Sequence, residues 1–234
     1  MIPIKDDNPS TTFPFITILL ILINITVFVY QKWLGPEAQS FVYRFGAIPW
    51  ELTRFQELPD LPIQFRSTFP NIFTLITSMF VHGSILHLLG NMLYLWIFGD
   101  NVEGLIGHGR FLVFYICCGL VASLAHIVSV PSSTIPMIGA SGALSGVLGA
   151  YFLRFPRAKV HVLIFLFIFI RVLRISAIFV LGFWFIMQIL NGFGWFGFNG
   201  GGGIAWFAHI GGFVAGAVLV FFFEKKDRVR VYYR

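Results

Sequence analysis

Between Arg110 and Arg154, and again between Arg174 and Glu224, the chain contains no Asp, Glu, Lys or Arg. One helical crossing of a bilayer takes about 20 mainly apolar residues, so each stretch has room for two crossings. Composition agrees. Charged residues make up 11% of the sequence and hydrophobic ones 57%, with a mean hydropathy of +0.84, whereas soluble domains carry about 25% charged residues. A water-soluble fold is excluded on these grounds.

Division of the apolar runs at their turn signals predicts six spans. The first covers about residues 13–31 and the second about residues 81–98, the latter preceded by an uncharged stretch that begins after Arg66. The third and fourth share 110–154 and break at 131–136. The fifth and sixth share 174–224 and break at the Gly-rich stretch 191–203. The piece 160–170, bounded by Lys159 and Arg171, is too short to cross and is expected to lie at the interface or partly immersed. The expected fold is thus all-α, a six-helix polytopic membrane bundle: an N-terminal cytoplasmic tail at 1–12, a membrane domain at 13–223 and a basic cytoplasmic tail at 224–234. No small-residue cleavage site follows the apolar segment at Phe13, so that segment is expected to stay as a span.

Orientation follows from the basic residues, which are retained in cytoplasmic flanks. Lys225, Lys226, Arg228, Arg230 and Arg234 follow the sixth span, and Arg154, Arg157, Lys159, Arg171 and Arg174 lie between the fourth and fifth. Both flanks are therefore read as cytoplasmic, with both termini inside and a plasma (inner) membrane as the location. The same pattern explains the net charge of +6 without nucleic acid, for no basic stretch is interleaved with stacking aromatics. Cys117 and Cys118 are adjacent, which suits neither an ordinary disulfide nor a metal site. No cofactor or metal is called for.

A polar side chain within a span is expensive, and each is a candidate for function. His87 and Asn91 lie one helical turn apart on the second span, Ser141 opens the fourth in GASGALSG, and His209 lies early in the sixth in AHIGGFVAG. All three spans begin at the outer face. Ser141 and His209 are each four or five residues in, at roughly 6 to 8 Å along their axes. Gly212 and Gly216 share a face with His209, and Gly142, Gly146 and Ala150 recur at four-residue spacing, which allows close approach of the two helices. A serine and a histidine so joined form a nucleophile and base. The first turn of a helix offers unpaired N–H groups for a developing oxyanion, and His87 and Asn91 can donate from a neighbouring helix.

The GASG around Ser141, the AHIGGFVAG around His209 and the HGSILHLLGN run, in that topology and with FGAIPWEL before them, resemble the rhomboid family of intramembrane serine proteases. The resemblance implies a six-helix core, Ser141 as nucleophile, His209 as general base, an oxyanion site from His87, Asn91 and the Ser141 amide, a supporting role for His82, and a structural acceptor in Glu103. Its partners would be transmembrane protein substrates within the lipid bilayer. A Trp-Arg pair of some relatives is Phe73 and Thr74 here, and a tyrosine that stacks on their histidine is Ser145.

Other readings are weaker. A zinc protease would need HExxH, and an aspartyl protease would need paired intramembrane carboxylates. Neither occurs. A channel or transporter predicts ionisable groups along a path through the membrane. A non-catalytic relative that binds transmembrane helices is the remaining alternative, and the presence of both Ser141 and His209 argues against it. Ser145 is read as a back-bonded packing residue. His108 and His126 are read as structural or interfacial, and Trp184, Phe185, Trp195 and Phe196 as interfacial or lipid-facing anchors.

Overall fold

The computed structural model describes residues 2–166, 169–195 and 204–224. The glycine run 200–203 and the basic residues beyond Glu224 lie outside the described residues. In chain order the elements are β1 (Ile2–Asp6), α1 (Phe15–Trp33), α2 (Ala38–Phe45), α3 (Pro49–Arg54), α4 (Thr74–Thr77), α5 (Ile85–Ile106), α6 (His108–Ser129), α7 (Ser141–Arg154), β2 (Lys159–Leu166), β3 (Phe169–Ser176), α8 (Ala177–Gly192) and α9 (Trp206–Phe223).

Helices α1, α6 and α9 are long and apolar enough to cross a membrane. The segment Asn71–Phe80 and α5 meet the same length and apolarity criterion together, with a bend of 78° between them. At the bend, Ser84 caps α5 by accepting from the backbone N–H of His87 at 3.2 Å. The shorter α8 is apolar apart from Gln188 and Asn191. α1, α8 and α9 turn residues such as Leu22, Val29, Phe179, Phe183, Val218 and Phe222 outward, the surface that hydrocarbon requires.

Helix α7 is the centre. Every residue from Ala143 to Tyr151 is buried, so a short helix suffices there. Its glycines admit α9 to backbone contact: a β-carbon at Gly212 would lie 2.1 Å from the Gly142 carbonyl oxygen, and one at Gly149 would lie 2.0 Å from that of Phe213. Gly149 thus joins Gly142 and Gly146 in a contact that the four-residue spacing had extended to Ala150.

Glu103, near the end of α5, accepts from the backbone N–H groups of Ile16 and Thr17 at 2.9 and 2.8 Å, from the Thr17 hydroxyl at 2.7 Å and from His108 Nδ1 at 2.5 Å. It satisfies donors at the start of α1 that no preceding turn can reach.

The all-α expectation needs one correction. At the end of the bundle opposite Ser141, β1, β2 and β3 form an antiparallel sheet in that order. β2 and β3 are a hairpin with Lys159 opposite Ser176, and β1 pairs with β2 from Ile2 opposite Leu163 to Asp6 opposite Val160. The stretch expected to lie as an interfacial piece is rich in Val, Ile, Leu and Phe and too short to span. Pairing with itself and with residues 2–6 satisfies its backbone groups. Asp7 secures the edge, accepting from His161 Nε2 at 2.7 Å and from the Arg174 guanidinium, and Tyr151 of α7 donates to Asp6.

Candidate active site

Four helices, α5, α7, α8 and α9, and the loop before α7 converge at the other end. Ser141 is the first residue of α7, and its N-cap, Ala140, supplies no side-chain partner for the first turn, so backbone donors there remain open. Gly139 before it has a φ of +117°, a conformation that suits glycine alone, and its N–H donates to the Ser78 carbonyl at 2.8 Å. A β-carbon at Gly139 would also collide with the His87 ring, at 2.7 Å, and approach Asn91 Nδ2 at 3.7 Å. The loop can therefore lie directly against α5 only because position 139 has no side chain.

His209 is the fourth residue of α9. Its Nε2 lies 2.8 Å from Ser141 Oγ, and its Nδ1 lies 2.8 Å from the side-chain oxygen of Gln188 on α8. The Trp184 and Trp206 rings stand 5.9 and 6.2 Å from the imidazole. With His87, Asn91 and Gln188, these residues line a cavity of about 480 Å³. Asn91 is buried, and its amide nitrogen pairs with His82 Nε2 at 2.9 Å. A side-chain amide has two N–H groups, which leaves a second one for the cavity.

All four residues singled out in the sequence, Ser141, His209, His87 and Asn91, border this one cavity. Ser145 behaves as a back-bonded residue, its hydroxyl donating to the Ser141 carbonyl at 2.6 Å. Two features depart from the sequence reading. Trp184 and Phe185 face α9 rather than lipid, Phe185 stacking on Phe213 at 4.3 Å between centroids. Gln188 is not among the residues the sequence singles out, although a glutamine in an uncharged span is a signal of the same kind as His209. Among the described residues no cluster of His, Cys, Asp or Glu could hold a metal.

Residues 70–226 match the Rhomboid domain model. The chain belongs to the rhomboid family. Rhomboid relatives include rhomboid protease GluP of Bacillus subtilis (strain 168), 45% identical over 76 residues, which are 32% of this chain and 14% of that protein. Rhomboid protein 1, mitochondrial, of Saccharomyces cerevisiae is 28% identical over 148 residues, 62% of this chain and 38% of the relative. The presenilin-associated rhomboid-like protein, mitochondrial, of Bos taurus is 26% identical over 144 residues, 61% and 34%. The matched stretch thus spans well under half the length of these rhomboid relatives.

Proposed function

We propose that this chain is an intramembrane serine endopeptidase that cleaves other membrane proteins in or beside their transmembrane segments. The observation that carries the reading is the 2.8 Å contact between His209 Nε2 and Ser141 Oγ at the open start of a helix. Ser141 Oγ attacks the scissile carbonyl carbon while His209 Nε2 takes its proton. The oxyanion is held by the α7 first-turn N–H groups with His87 and Asn91. Collapse of the tetrahedral intermediate breaks the C–N bond as His209 returns the proton to the leaving amine. Water, deprotonated by His209, then hydrolyses the acyl-enzyme and releases Ser141.

The six-span reading takes α1, the bent segment ending in α5, α6, α7, α8 and α9 as the crossings, with 13–223 as the membrane domain. The basic flanks put the sheet, both termini and the tails 1–12 and 224–234 on the cytoplasmic side of a plasma (inner) membrane. The site then opens toward the outer half, where water can enter.

The test is cleavage of single-span reporters in liposomes by the native chain, Ser141→Ala and His209→Ala at equal folded amounts. Loss of cleavage in both variants is expected. Persistent cleavage by Ser141→Ala would refute the mechanism, and a native chain that cuts no reporter in a panel would favour the helix-binding alternative.

A further inference from the structure

Ser141 cannot decide which nitrogen of His209 carries the proton. A hydroxyl donates or accepts equally well, so the 2.8 Å contact with Nε2 is compatible with either tautomer, and only a bare Nε2 can act as base. The decision must come from the other side of the ring. There the partner is an uncharged amide, and its orientation is fixed by a third group.

Gln188 Nε2 lies 3.0 Å from the backbone carbonyl of Trp184, one turn earlier on α8. A carbonyl only accepts, so the NH₂ end of the amide must face Trp184 and the oxygen must face His209. The oxygen also only accepts, so the group 2.8 Å away on the imidazole must be Nδ1–H. In a neutral ring this leaves the lone pair on Nε2, directed at Ser141. Gln188 is buried, which shields the chain of bonds from competition by water. The remaining titratable groups that act on His209 are His87 from α5 and His126 from α6; no carboxylate is among them.

From this geometry we propose that Gln188 is a positioning residue that fixes the reactive tautomer of His209, an uncharged counterpart of the carboxylate in a Ser-His-Asp triad. The inference rests on the proteolytic reading for its kinetic consequence and on geometry alone for the tautomer. As an acceptor without charge, Gln188 orients the imidazole in the resting state and adds no charge of its own to stabilise the imidazolium. An anionic carboxylate does both.

Two measurements test it. The first is the tautomer of His209 by long-range proton–nitrogen correlation in micelles, with ¹⁵N-histidine incorporated into the full chain carrying Ser141→Ala, and with His209→Gln as the assignment control. The expected signature is protonated Nδ1 and bare Nε2. A protonated Nε2 would overturn the proposal whether or not the chain is a protease. The second compares Gln188→Met, which keeps the shape without the acceptor, with Gln188→Glu, which keeps the acceptor. Gln188→Met should lower kcat by roughly 10- to 1,000-fold with KM little changed, and Gln188→Glu should recover most of the loss. Equal losses in the two variants, or native turnover by Gln188→Met, would overturn it in favour of a packing role. If the native chain cuts nothing, the proteolytic reading fails, and the nitrogen spectrum still decides the tautomer. If Gln188→Met does not fold, Gln188→Glu with an unchanged Nδ1–H signature and near-native turnover supports the proposal, and a loss of that signature refutes it.

Discussion

The α-carbon of Gly216 lies so close to Gly146 that a β-carbon added there would sit 1.8 Å from the Gly146 carbonyl oxygen. Backbone cannot yield as a side chain can, so α9 would have to move away from α7 and take His209 with it. Gly216→Leu is expected to abolish cleavage and lower the thermal midpoint in detergent. The cost should be at the upper end of, or beyond, the roughly 1 to 3 kcal/mol of ordinary overpacking.

The opposite sign is expected at Gly90. It lies within α5, and a β-carbon added there would have nothing within 4 Å, so Gly90→Ala meets open space and gains helix propensity of about 0.5 to 1 kcal/mol. Thermal unfolding of the two glycine variants side by side checks both signs. A Gly90→Ala protein less stable than native would mean that this face is occupied by something other than lipid.

Glu103 is buried and accepts four hydrogen bonds from α1 and His108. Glu103→Gln turns an N–H toward a group that also donates, and should cost roughly 2 kcal/mol. Glu103→Ala, which strands every donor, should cost more. Denaturation midpoints in mild detergent give the order, native above Gln above Ala.

The sheet supplies a pH dependence. Burial pushes the Asp6 carboxyl up from 3.8 to about 6, against the opposing bond from Tyr151. A carboxyl whose folded value is raised in this way contributes stability that is present below 3.8 and is lost as pH rises through about 6. Asp7 runs the other way, since its bonds from His161 and Arg174 hold it below its ordinary value; its contribution is present at neutral pH and lost in acid. Asp6→Asn keeps an acceptor for Tyr151 and removes the charge. It should therefore stabilise the protein at pH 7 to 8 by about 1 kcal/mol, with the gain vanishing by about pH 4. A gain that persists in acid would refute this account.

Ser145 is buried within the first turns of α7 and donates a hydrogen bond to the Ser141 carbonyl. That carbonyl is not part of the proposed chemistry. Ser145→Ala should cleave within about threefold of native, as measured by initial rates on the same reporter.

The polar residues at the site could be read from the sequence because hydrocarbon makes each of them conspicuous, and because Ser141 and His209 fall at equal depth in helices lined with glycine. Gln188 could not be assigned in this way. Its partner lies 21 positions further on, and helical period alone does not say which face of α8 meets α9. The same ambiguity underlies the expectation that Trp184 and Phe185 are interfacial or lipid-facing anchors, whereas both meet Phe213 of α9. The sheet was hidden for a different reason: β1 meets β2 across more than 150 residues, and a segment of Val, Ile and Phe beside a membrane looks the same whether it pairs or lies flat. The bend ahead of α5 leaves no stronger sign in the sequence than an uncharged stretch after Arg66.

The grip of Glu103 on the start of α1 also has a mechanical meaning. Three donors of α1 meet the carboxylate at that end, while near the far end Gln31 gives one bond to the His82 carbonyl at 3.0 Å. Toward that far end Phe28 is packed with Leu88, Met92 and Ala140, so the helix is also tied to α5 and to the residue before Ser141. With 19 residues the helix is about 28 Å long, and a tilt of about 5° displaces its far end by roughly 2 Å. That end adjoins His82, whose ring pairs with Asn91, so the placement of the first helix bears, through two contacts, on the wall of the cavity.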